Sequence, residues 1–332
     1  MISDRNKLPG GGFGGDRGGL SYWESDVGSL KTFSNWKEVT HDDFKNNLIA
    51  AADSFPLLTH AANEQQQHVT FMVHGYNVGW QDAAERYEQF CGNLFSGPNS
   101  LGLCVSFDWP SLGSILGYLP DRCHARACAD DLASVLFELY SWLLGKQQAA
   151  AADPALACKA KLSLVAHSMG NYLTQKAMAS AWARTNQPML ASLINQLVMI
   201  AADVDNTLFE PPADDGADGN AMANLSYRIT SLYSGRDAVL GASAGLKHFG
   251  TRRLGRSGLA VEPPTGKDNV WDIDCSGFFP PTIEGMQIHS AYFDQSEVIA
   301  LVGKILTGID RTVLDAVGAT KGSLWPPITP PG

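Results

Sequence analysis

The sequence predicts an α/β fold, a mostly parallel central sheet with helices on both faces. Three observations predict it. Short apolar runs alternate with longer segments of helical periodicity along most of the chain. The runs are continuously apolar, as expected of strands covered on both faces. Residues able to do chemistry fall just after the runs: His74, Asp108, Ser168, Asp203, Asp205 and Asp237. In open parallel sheets, sites gather at the carboxyl ends of the strands.

The elements follow in order. Residues 9–19 are so rich in Gly that residues 1–20 read as a flexible tail. A nucleotide-binding glycine loop is disfavoured there, because no strand precedes it and no helix with Lys-Ser or Lys-Thr follows. Residues 21–320 read as a single α/β domain and 321–332 as a loose Pro-rich tail. Early strands fall between Trp23 and Val39. His41 opens a helix to Ala52, with Asp42 and Asp43 in its first turn. His68–Val73 is a buried strand, followed by a helix from Trp80 to Phe95. Leu101–Phe107 is the next strand. The long helix after it, Arg122 to Leu144, carries Leu132, Val135, Leu136, Leu139 and Leu143 at helical spacing. Ala149–Pro154 is a small-residue connection. Leu162–Ala166, Leu197–Ala201, Tyr227–Tyr233 and Asn269–Ile273 are strands, and Gln295–Leu306 is the last helix. Residues 211–220 and 241–267 are loops, the second rich in Gly and Arg.

One stretch organises the rest. The run Leu162–Ala166 enters a tight turn, Ala166-His-Ser-Met-Gly170, and a helix over Tyr172–Trp182 follows. Strand, turn with a central Ser, and helix form the setting in which a serine can be raised above a sheet as a nucleophile. Small residues are needed two before and two after the Ser, where backbones pass closely. Gly170 meets that need, and Ala166 adds only a methyl group.

Composition narrows the class. The 332 residues are 45% hydrophobic and 17% charged, with a formal net charge of -10. That balance argues against nucleic acid as a partner, since phosphate contacts need a basic face. Arg252, Arg253 and Arg256 are a small local group expected in a solvated loop. No apolar run approaches a membrane span, so stable membrane insertion is not expected. Nor does the first segment have the apolar stretch of a signal peptide, and a cytoplasmic setting is expected. The six Cys are scattered without paired spacing, which points to neither a disulfide framework nor a zinc site, and no cofactor is expected. The oligomeric state is not readable.

The motifs Phe71–Asn77, Phe107–Ser111, Leu164–Gly170, Leu232–Asp237 and Ile288–Tyr292 resemble, in this order, those of the α/β-hydrolases. The likeness is strongest to bacterial esterase/lipase-type members known only as a domain of unknown function, and it spans residues 65–310. It implies a triad in the order Ser, acid, His along the chain. Ser168 matches the nucleophile. His289 matches the base, following the last strand and preceding the last helix, whereas His248 lies only 11 residues past Asp237. Asp237 sits where the family most often places the acid; Asp203 and Asp205 follow the preceding strand, which some members use instead. The resemblance also implies an oxyanion hole from the backbone N–H groups of Met169 and Tyr76. His74 then braces the loop and His167 packs below the site. Trp109, Tyr118 and Leu119 are candidates for the substrate pocket.

The expected activity is therefore a serine hydrolase acting on carboxylic esters of small molecules through an acyl-enzyme, without metal. An amidase, thioesterase or lipase on the same triad, or an inactive binding protein on this fold, are the alternatives. Specificity is expected in the loops at 111–120, 206–224 and 241–267.

Overall fold

The computed structural model describes residues 1–26, 28–56, 67–112, 117–185, 192–211, 216–248 and 250–326. Nine strands form one sheet: β1 (Ile2–Lys7), β2 (Phe13–Glu24), β3 (Lys37–Val39), β4 (His68–Val73), β5 (Gly102–Asp108), β6 (Lys161–His167), β7 (Ile194–Ile200), β8 (Ser226–Tyr233) and β9 (Val270–Asp274). Their spatial order is β3-β2-β1-β5-β4-β6-β7-β8-β9. From β1 to β9 every neighbouring pair is parallel; only β1–β2 and β2–β3 are antiparallel. Before β8 lie the helices α1 (His41–Asp53), α2 (Trp80–Leu94), α3 (Tyr118–Ala152), α4 (Gly170–Thr185) and α5 (Gly216–Leu225). After β8 come the short α6 (Ala238–Ala242) and α7 (Leu254–Ser257), then α8 (Ile288–Ala291), α9 (Ser296–Leu306) and α10 (Arg311–Ala316). No helix among the described residues is long and apolar enough to cross a membrane.

Side-chain alternation along the strands sorts the core into two layers. Phe71, Val73, Leu164, Ala166, Leu197 and Met199 face one layer with residues of α1, α3, α4 and α5. Met72, Val165, Val198 and Ile200 face the other, with residues of α2, α9 and α10. Both faces are covered, which is why these strands read as unbroken apolar runs.

Four expectations are corrected. Residues 1–20 contain β1 and most of β2 instead of a flexible tail. β1 is polar and buries Ser3, Asp4 and Arg5, so its sequence has no strand-like apolar pattern. Phe13, amid the glycines, packs edge-on to Trp23 at 5.1 Å and to Trp80 at 5.7 Å. Residues 149–152, expected as a connection, continue α3, since Ala is the best helix former and the first breaker is Pro154. The expected loop at 211–220 includes the start of α5; residues 212–215 lie outside the described residues. Within 241–267, Arg253 is fully buried at 0% exposure, not solvated, because it neutralises two aspartates described below. Residues 327–332 of the Pro-rich end lie outside the described residues.

Candidate active site

β6 runs straight into α4 through a turn in which Ser168 adopts φ 52°, a left-handed conformation that a non-Gly side chain holds only under constraint. The surroundings supply it. Ser168 N–H donates to Ile200 O at 3.0 Å, and Ser168 O accepts from the N–H groups of Asp203 at 3.2 Å and Asn171 at 3.0 Å. The buried Asn171 amide donates to Ala166 O, Ser168 O and Ile200 O at 3.1 to 3.2 Å. Two glycines let the β4 loop close on this turn. A Cβ on Gly170 would lie 2.4 Å from His74 O, and one on Gly75 would lie 2.7 Å from Ser168 Cβ. The Met169 N–H makes no hydrogen bond to the described residues, whereas Tyr76 packs edge-on to Tyr118 with ring centroids 5.5 Å apart.

α8 brings His289 to the same point. Its Nε2 lies 2.8 Å from Ser168 Oγ and its Nδ1 2.7 Å from Asp237 Oδ2. A carboxylate can only accept, so Nδ1 carries the proton and Nε2 faces the Ser168 hydroxyl as acceptor. Asp237 is fully buried and divides its oxygens: Oδ1 caps α6 by accepting from Leu240 N–H at 3.0 Å, leaving Oδ2 for His289. Arg256 Nη1 donates to the Asp237 carbonyl. Of the eight histidines, His289 is the one within reach of Ser168 Oγ among the described residues.

The other aspartates are committed elsewhere. Asp203 accepts from Arg253 Nε at 2.8 Å, Ser243 Oγ at 2.8 Å and Tyr118 OH at 2.7 Å; Asp205 pairs with Arg253 Nη1. Burial raises the Asp203 carboxyl, but Arg253 and these donors outweigh it and hold it below the usual carboxylate range. His248 Nε2 lies 2.6 Å from Tyr118 OH, so it joins this cluster and not the His289 line.

The candidate pocket residues separate. Trp109 is fully buried: its ring stacks on His74 at 5.3 Å and its Nε1 donates to His74 O at 2.8 Å. Tyr118 is buried with its hydroxyl held as above, and Leu119 is 60% exposed. Residues 113–116, 212–215 and 249 of the expected specificity loops lie outside the described residues.

His74 is braced as a loop residue. Its Nε2 is 3.0 Å from Asp108 Oδ1 and its Nδ1 2.9 Å from Gly75 O. Asp108 also binds Arg5 Nε at 2.8 Å and Ser3 Oγ at 3.1 Å. Burial pushes the Asp108 carboxyl up, and Arg5 and His74 together hold it below its ordinary value. Sequence reasoning missed Arg5, Arg253 and Asn171. No local pattern marks Arg5 or Arg253, because their partners lie 103 and 50 residues away. Asn171 carries a signal, a polar residue just past the turn where the helix needs none.

Sheet order and a serine turn at the carboxyl end of a central strand define an α/β-hydrolase fold. The profile of the family described as "Alpha/beta hydrolase of unknown function (DUF900)" matches residues 50–304, and the chain belongs to that family. No curated protein matches it in sequence. Among solved structures it is similar to a predicted CIB-like hydrolase from Thermoplasma acidophilum, with 11% identity, 75% of this chain and 90% of that one covered, and a TM-score of 0.36. Lipase B from Aspergillus fumigatus aligns at 12% identity over 87% of this chain and 63% of its own, with a TM-score of 0.41. An esterase from Pyrobaculum calidifontis aligns at 11% identity over 79% and 89%, with a TM-score of 0.33.

Proposed function

We propose that the protein is a serine hydrolase that cleaves carboxylic esters through an acyl-enzyme. The observation that carries this reading is the buried line Ser168 Oγ–His289 Nε2–Asp237, with separations of 2.8 and 2.7 Å. A hydroxyl is a poor nucleophile until a neighbouring base takes its proton. Here His289 Nε2 takes the Ser168 proton as Oγ bonds to the ester carbonyl carbon. The Asp237 carboxylate balances the imidazolium and keeps its orientation. The N–H groups of Met169 and Tyr76 receive the oxyanion, a role favoured by the close approach of Gly75 to Ser168. As the carbonyl re-forms, the C–O bond to the leaving group breaks and His289 protonates the departing alkoxide. Water then gives a proton to His289 and attacks the acyl carbon; the bond from that carbon to Ser168 Oγ breaks, His289 returns the proton to Oγ, and the carboxylic acid leaves.

The ester class rests on the motif resemblance to esterase/lipase-type hydrolases, since fold and triad serve amides and thioesters equally. A fluorophosphonate probe tests the reaction class: labelling of wild type, lost in Ser168→Ala, is expected. A chromogenic panel of ester, thioester and anilide at matched acyl length then tests the substrate class. Phosphonate found by mass spectrometry on a different residue would sink the assignment, and faster anilide turnover would move the activity to an amidase.

A further inference from the structure

The family profile begins at residue 50, yet the loop that follows β4 is held by residue 5. Arg5 is 2% exposed and spends four donor contacts on three separate segments. Nε donates to Asp108 Oδ1 at 2.8 Å, at the last residue of β5, and Nη1 to Ser111 O at 3.1 Å, just past it. Nη1 also donates to Gly14 O at 3.2 Å, in β2. Nη2 donates to Val78 O at 2.9 Å, two residues beyond Tyr76. The same Asp108 oxygen lies 3.0 Å from His74 Nε2, two residues before Tyr76. Arg5 therefore grips the 74–78 loop at both ends, directly at Val78 and through Asp108 at His74. A planar guanidinium fork can satisfy carbonyls and a carboxylate in fixed directions; an ammonium cannot reproduce that set. β1 brings it there because Ile2 and Ser3 pair in parallel register with Phe107 and Asp108.

We infer that Arg5 is a positioning residue for the Tyr76 oxyanion donor, so that an N-terminal strand outside the matched family region sets the catalytic geometry. The inference rests on the hydrolase reading for its chemical consequence, but the loop placement stands apart from it. Preorganised donors matter because the transition state gains from them only when they are already aimed. Loosening the 74–78 loop costs the tetrahedral intermediate more than it costs substrate binding.

The test compares Arg5→Lys and Arg5→Met with Arg17→Met. Arg17 faces Arg5 across the β1–β2 pair, but its guanidinium binds Asp4 and Asp131, in β1 and α3, and not Asp108, Ser111 or Val78, so it controls for general loosening of β1 and β2. Hydrogen–deuterium exchange over residues 75–79 is read first, since it needs no turnover. Exchange at least ~10-fold faster is expected in both Arg5 variants and not in Arg17→Met. On a p-nitrophenyl ester, kcat is expected to fall between ~10- and ~100-fold, less than the ~10²–10³ of deleting an oxyanion donor, with KM within about twofold. Affinity for a trifluoromethyl ketone, which forms a tetrahedral adduct on the serine, falls by the same factor as kcat. Unchanged exchange at 75–79, or an equal loss of kcat in Arg17→Met, overturns the inference. A wild type inert to esters and phosphonates defeats the hydrolase reading, while the exchange arm still decides whether Arg5 positions the loop.

Discussion

Nε2–H of His167 donates to the backbone carbonyl of His289 at 2.8 Å, tying the residue before Ser168 to the residue that Ser168 faces. Burial, then the His289 ring and the Arg86 guanidinium, hold the His167 pKa well below the ordinary imidazole value. The ring stays neutral, and Arg86 Nη1 approaches its Nδ1 at 3.4 Å, which leaves Nε2 as the donor. The separation of Ser168 and His289 is thus fixed from behind as well as across the site. His167→Phe keeps a ring against Phe293, now 5.2 Å away, but deletes the donor. We expect kcat to fall roughly 10-fold or more with KM little changed, within the ~10²-fold cost of ångström-scale misplacement. Steady-state kinetics at matched thermal stability checks it; an unchanged kcat shows that the tie is dispensable.

Replacing Asp237 and Asp203 by Asn separates catalysis from stability. Asp237→Asn retains a good helix cap for α6 but no longer fixes the His289 tautomer, so kcat should drop by up to ~10⁴ with folding nearly intact. Asp203→Asn leaves Arg253 buried with one carboxylate fewer, and the expected loss is about 3 to 5 kcal/mol of stability. Urea melts and kcat on one short-chain ester decide the matter. Near-normal turnover in Asp237→Asn would remove Asp237 from the proposed triad.

Gly170→Ala sets a methyl group 2.4 Å from His74 O and 2.8 Å from Val73 O, both backbone atoms that no rotamer change can move. Overpacking of this kind costs roughly 1–3 kcal/mol, and relief must come from moving α4 away from the β4 loop. Activity should therefore fall further than stability alone explains. Gly145→Ala, in the open part of α3 with nothing within 4 Å, should stabilise by about 0.5–1 kcal/mol and leave kcat unchanged. A Gly170→Ala variant with wild-type kcat would show that the turn tolerates the displacement.

Stability should fall as pH drops from 6.5 towards 4. His68 is buried, paired with Ser163 Oγ at 2.8 Å, and burial first, then Lys161, lowers its pKa from 6.5 to about 4. Between those values the unfolded chain binds a proton that the folded chain refuses. The stability held above pH 6.5 is thus lost progressively, by roughly 3 kcal/mol in all. His68→Gln, which does not titrate, should remove that share of the pH dependence. Unfolding free energies measured at pH 7.5 and 4.5 in both proteins check it, and parallel slopes would refute it.

The sequence by itself determined the strand–helix alternation, the parallel sheet and the Ser168 turn. Each is local: apolar runs, helical spacing, and small residues around a tight turn are written in adjacent residues. It also set Ser168, Asp237 and His289 in the segments that follow β6, β8 and β9, since chain order alone carries that. Tertiary structure decided which groups meet. Only the folded sheet aims Asp237 Oδ2 at His289 while pairing Asp203 and Asp205 with Arg253. Only the fold shows that a polar, glycine-flanked N-terminus is a pair of strands, because Arg5 becomes buriable when Asp108, 103 residues away, neutralises it. Burial of charge depends on partners brought together by packing, and no local pattern encodes a partner that distant.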